Sequence, residues 1–108
     1  MIHELRIYEV FDGNRDAFHA RFRDHAARLM HDHGFQIVAM WECRTDDRLE
    51  FVYLLAWAGQ AARKTSWEAF MADPDWQSIK RETAAASGDL VGAITSRVMS
   101  LTDYSPIP

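Results

Sequence analysis

Phe51-Val52-Tyr53-Leu54-Leu55-Ala56-Trp57 is a run with no polar face. In a strand, successive side chains point to opposite sides, so Phe51, Tyr53, Leu55 and Trp57 share one side and Val52, Leu54 and Ala56 the other. A strand with one wet face alternates apolar with polar residues. This run does not alternate, so it is expected inside a sheet and covered on both faces.

Outward from this strand, the polar turn Thr45-Asp46-Asp47-Arg48 joins it to a preceding strand over Phe35 to Arg44. Before that, Phe18, Phe22, Ala26, Leu29 and Met30 recur at helical spacing and predict a helix from Arg15 to His33, with Asn14 as its N-cap and Gly34 as its stop. Ile2 to Val10 reads as the first strand, with Leu5 and Ile7 on one face and Ile2, Glu4, Arg6, Tyr8 and Val10 on the other. After Gly59, a helix is expected from about Gln60 to Met71. Asp73-Pro74 caps and restarts a second one to about Ala85. Leu90 to Leu101 is the last strand, and the prolines of the tail keep it from pairing centrally.

The order β-α-β-β-α-β is the split βαβ, or ferredoxin-like, unit. Right-handed crossovers put both helices on one face of a four-stranded antiparallel sheet, with the first and third strands central. The other face is then bare. Leaving a row of three or four apolar side chains in water forfeits roughly 25 cal/mol per Å², several kcal/mol in all. A second copy packed sheet on sheet is the simplest cover, so a homodimer with a barrel-like interior is expected, with higher homo-oligomers open.

Totals narrow the class. A chain of 108 residues fits one domain spanning 1–108, and 48% hydrophobic against 26% charged residues is globular composition. A formal charge of -4 argues against a nucleic-acid partner, which needs clustered Lys and Arg. Cys43 is the single cysteine, which excludes an intramolecular disulfide and a Cys-rich zinc site. No apolar run nears the roughly 18 residues of a membrane span, and the first residues enter a charged alternating segment without leader character. A cytoplasmic protein without a membrane partner is the default expectation. With no Gly-rich phosphate loop, G-x-S-x-G or H-E-x-x-H, no cofactor is implied.

Several segments resemble one family. The opening His3-Glu4-Leu5-Arg6-Ile7-Tyr8 is similar to the E-L-R-x-Y start of NIPSNAP domains, with the loop glycine Gly13 after it. Ala39-Met40-Trp41-Glu42 resembles their second-strand segment. Trp67 to Trp76 resembles their W-x-x-[FL]-x-x-D-P-x-W element, and Leu101 to Pro106 resembles their ending. The resemblance covers essentially the whole chain. It implies a dimeric α+β barrel related to cofactor-free monooxygenases, in a family whose molecular activity is mostly unassigned. Tyr53 stands where many members carry His in H-L-W-x-Y, so no role of that imidazole carries over.

Glu4, Arg6 and Tyr8 share a face of a central strand. If Leu5 and Ile7 meet the helices, these three face the barrel interior. There Arg6 would hold an anionic or carbonyl group, Tyr8 would donate a hydrogen bond, and Glu4 would take a proton or orient Arg6. The alternative is a mutually satisfied Glu4–Arg6 pair that fixes dimer register. It ranks ahead, because buried ion pairs are often structural. Trp41 and Trp57 could reach the same interior beside Tyr53, giving Glu4, Arg6, Tyr8, Trp41, Tyr53 and Trp57 as candidate ligand-binding residues; catalytic residues are not identifiable. His31-Asp32-His33 has H-x-H spacing, but at a helix end the two rings diverge, so no metal site is expected. Three functions follow: a small-molecule-binding barrel, a cofactor-independent oxygenase or isomerase-like enzyme with Glu4 or a His as base, and an interaction module without a ligand.

Overall fold

The computed structural model describes residues 1–107. Ile2–Val10 forms β1, Gln36–Arg44 β2, Leu49–Trp57 β3 and Val91–Ser100 β4. They pair antiparallel in the order β2-β3-β1-β4, so the first and third strands are central, as the apolar run requires. Arg15–Arg21 (α1), a π turn over Phe22–Ala26 and Ala27–Asp32 (α2) make one rod; Gln60–Ala72 (α3) and Pro74–Ser87 (α4) complete the helical layer.

The faces are the reverse of an arrangement with Leu5 and Ile7 under the helices. Register pairs Tyr8 with Phe51, Arg6 with Tyr53 and Glu4 with Leu55. Directly paired residues share a face, so β1 follows β3. The bulky row Leu49, Phe51, Tyr53, Leu55 and Trp57 goes under the helices and is almost wholly buried. Glu4, Arg6 and Tyr8 therefore lie in the sheet–helix interior. Val52 and Leu54 stay half-buried on the opposite, uncovered face.

The core joins two aromatic groups. Phe18, Phe22, Phe51, Tyr53 and Tyr8 pack at one end, with Phe22–Phe51 centroids 4.7 Å apart. Phe35, Trp57, Trp67, Phe70 and Trp76 pack at the other, with Phe35–Trp67 also at 4.7 Å. Between these groups the rod carries its π turn, in place of the uninterrupted α-helix expected over Arg15 to His33. Phe22 and Ala26, the first and last residues of that turn, both reach the core, where each is at most 5% exposed.

Local chemistry sets the joints. The Asp73 carboxylate accepts from the Asp75 N–H at 2.8 Å, and Pro74 opens α4 as expected. Asn14 does not cap α1. Its Nδ2 donates to the Ser87 and Asp89 carbonyls at 3.0 and 2.8 Å, so it clamps the turn into β4. Gly34 ends α2 with φ of 87°, in the left-handed region, and a Cβ there would stand 3.3 Å from Ser66 Oγ. Gly34→Ala is expected to cost about 1–2 kcal/mol in urea denaturation, the penalty of that backbone conformation.

Candidate functional site

Glu4 is fully buried and every oxygen is engaged. Arg63 of α3 grips it with Nε and NH2 at 3.0 and 3.1 Å. The Trp57 and Trp67 indoles donate at 3.1 and 2.9 Å, and Ser96 Oγ at 2.6 Å. Burial by itself would raise the Glu4 pKa. The hydrogen bonds of Arg63, then Ser96, Trp67 and Trp57, outweigh burial and bring it down to about 2. Such a carboxylate is a poor proton acceptor near neutral pH. Arg6 stands only at 3.8 Å, so Glu4's chief partner is Arg63 rather than the neighbour expected from sequence.

Arg6 is thereby left partly uncommitted. Its guanidinium lies over the Trp67 ring at 4.4 Å and donates to Tyr8 Oη at 3.3 Å, while its buried Nε has no partner. Tyr8 Oη and Tyr53 Oη are 2.6 Å apart, and either can donate. Burial foremost pushes the Tyr53 phenol well above its ordinary range, so it stays a neutral hydroxyl.

This Arg6–Tyr8–Tyr53 chain ends at a chamber of about 230 Å³ between sheet and helices. Phe18, Phe22, Ala26, Met30, Phe70, Trp76 and Ile94 wall it, and Arg21 and Lys80 stand with Arg6 as its charged residues. A larger groove of about 530 Å³ runs from α1 to β2, but its polar groups satisfy one another. Glu42 there accepts from Arg15 at 2.7 and 3.0 Å and lies 3.0 Å from His19 Nε2. A site for a foreign molecule needs unmet polar groups; Arg6, whose Nε is unpartnered, lines the smaller chamber, while His25, whose Nδ1 is also unpartnered, lies at a separate surface groove between α1 and α4.

Of the sequence candidates, Arg6 and Tyr8 line the chamber, and Tyr53 supports Tyr8 from behind. Glu4 and Trp57 belong to the buried network. Trp41 is a correction. A bulge between Ile37 and Ala39 pairs Trp41 with Val52, which turns it onto the uncovered face, half-exposed at 50%. It cannot share a cavity with Tyr53. Arg21, Arg63 and Lys80 were missed. Two were within reach of helical spacing: Arg63 lies four residues before Trp67 and Lys80 four after Trp76, so each shares its tryptophan's face. His33, the second ring of the H-x-H, lies with Nε2 2.7 Å from Asp73 Oδ2. Among the described residues, no three His, Cys, Asp or Glu converge as metal ligands. Among them too, no helix is long and apolar enough to cross a membrane.

A four-stranded antiparallel sheet with its helices on one side defines a ferredoxin-like α+β protein, with a chamber between the two layers. The NIPSNAP family model matches residues 3–106, and the chain belongs to the NIPSNAP family. Solved structures agree on the fold. A nipsnap family protein with unknown function from Agrobacterium tumefaciens is 22% identical over all of this chain and 94% of that one, with a TM-score of 0.83. An uncharacterized NIPSNAP domain protein from Burkholderia xenovorans is 18% identical over 98% and 99%, at 0.81. An antibiotic biosynthesis monooxygenase is 12% identical over 94% and 99%, at 0.61. Among curated proteins, none matches. At these identities the likeness is one of fold.

Proposed function

We propose that this protein binds a small molecule in the sheet–helix chamber and works as a homodimer whose second copy covers the open sheet face. One observation carries the ligand reading: a pocket of about 230 Å³ between sheet and helices is lined by Arg6, whose buried guanidinium Nε has no acceptor among the described residues. Dense cores rarely keep both a void and an unmet donor without a use for them.

Binding is favoured over turnover. The monooxygenase-like fold leaves enzymatic chemistry open as a class, but proton abstraction needs a base beside the apolar walls. Glu4 is saturated with donors, and among the described residues no histidine or carboxylate lines the chamber. A module without a ligand accounts for neither the chamber nor the unmet donor.

Ala26 is 1% exposed and lines the chamber from the π turn, so Ala26→Leu pushes a larger side chain into it. In a thermal-shift screen with small aromatic compounds, hits should raise the wild-type Tm and lose that effect in Ala26→Leu. The variant itself should lose no more than about 1–3 kcal/mol of stability from overpacking. Hits that stabilise both proteins equally would place the ligand elsewhere.

A further inference from the structure

We infer that the corner bounded by Arg6, Tyr8 and Arg21 receives the anionic head of a small amphipathic ligand, a carboxylate on an aromatic or short apolar body. This rests on the chamber being a ligand site and adds the chemistry of what fills it.

Arg21 comes from the last turn of α1, directly before the π turn, and lines the chamber half-buried. Burial draws its pKa down, and the group acting in the opposite direction is Tyr8 rather than a carboxylate. A buried cation ordinarily has a carboxylate partner; among the described residues lining this chamber there is no Asp or Glu. The face of Trp76 gives partial compensation. Arg21 sits 5.4 Å and Lys80 5.9 Å from its ring centroid, so one ring serves two cations. Arg6 adds its unpartnered Nε on the sheet side: Glu4 stands 3.8 Å from its NH1 but takes its direct guanidinium hydrogen bonds from Arg63. Two guanidinium groups and a tyrosine hydroxyl thus border one cavity, and an incoming carboxylate would supply the missing acceptor in the planar form that arginine matches.

The remaining lining sets the body of the ligand. Phe18, Phe22, Phe70, Trp76 and Ile94 offer no further hydrogen bonds, so the rest of the molecule must be apolar. A volume of about 230 Å³ gives room for about one ring or a short acyl chain.

A matched pair of probes, para-fluorobenzoate and para-fluorobenzamide, tests this by fluorine NMR titration of the full chain. The wild type should bind the acid about tenfold or more tightly than the amide, the scale of a charge-assisted pair. Arg21→Gln should collapse that ratio towards one, and Arg21→Lys should restore part of it, with far-ultraviolet circular dichroism checking the fold. Lys80→Gln, on α4, should lower the ratio severalfold and gives a second reading should Arg21→Gln unfold. Equal wild-type affinity for both probes would overturn the anion assignment and leave a site for neutral ligands. If neither probe broadens, the chamber reading is overturned and this inference with it.

Discussion

Glu4→Ala is expected to remove about 3–5 kcal/mol of stability, a large share of the 5–15 kcal/mol that holds a domain together. Removing the buried carboxylate leaves the Arg63 guanidinium, two indole N–H groups and the Ser96 hydroxyl without their shared acceptor. Strand β1, helix α3 and strands β3 and β4 all meet at this side chain, so the loss is spread across both layers. Glu4→Gln keeps the shape and one acceptor oxygen and should cost less. Urea denaturation at matched protein concentration measures both, and a Glu4→Ala protein within about 1 kcal/mol of wild type would refute the network's structural role.

The same residue sets the acid limb of stability. Its folded pKa of about 2 lies below the ordinary 4.5, so the ionised form is the one that folding stabilises. The contribution, about 3 kcal/mol from that difference, is fully present above pH 4.5 or so and is lost as pH falls towards 2. Glu42, Asp12, Asp24 and Asp73 are also lowered and act in the same direction, but they are solvent-facing or only partly shielded. The diagnostic is therefore the difference between wild type and Glu4→Gln, whose acid limb should be visibly flatter.

The strand order and one-sided helices were legible because they follow from periodicity. Phe51 to Trp57 could only be central, and the stripe from Phe18 to Met30 could only be helical. What escaped depends on single-residue insertions. Without the bulge after Ile37, β2 would continue in step and Trp41 would oppose Phe51 under the helices; one extra residue, Val38, turns it outward. The π turn is the same event in a helix, and nothing in Phe22-Arg23-Asp24-His25-Ala26 advertises it. Glu4 and Arg6 drew attention as charges in a central strand. Which arginine answers Glu4 was decided by α3, 59 positions along the chain and beyond any local pattern. The chamber's cations were harder still, since a lysine or arginine on a helix ordinarily reads as solvated surface.

Val52→Glu is expected to convert the proposed homodimer to monomer. Val52 lies on β3 between Ile7 of β1 and Trp41 of β2, all three turned to the uncovered face with Leu5, Leu54 and Met99 nearby. The helical layer covers the opposite face, and on this one the tail residues Thr102, Ser105 and Ile107 border only the end at Leu54 and Met99. Trp41 remains 50% and Met99 39% exposed in the single chain. A patch of this kind supports a sheet-on-sheet contact of the usual scale, about 800 Å² per partner. In a twofold interface each substitution occurs twice, and two carboxylates would be desolvated against each other, which costs several kcal/mol. That corresponds to a weakening of roughly a thousandfold or more in dissociation constant. The fold should survive, because position 52 is half-exposed in the lone subunit and the helix-side core is untouched. Light scattering at micromolar concentration should give twice the 12.5 kDa chain mass for the wild type and the single mass for Val52→Glu. A wild type already at the single mass would mean that water, or another molecule, meets this face instead of a second copy.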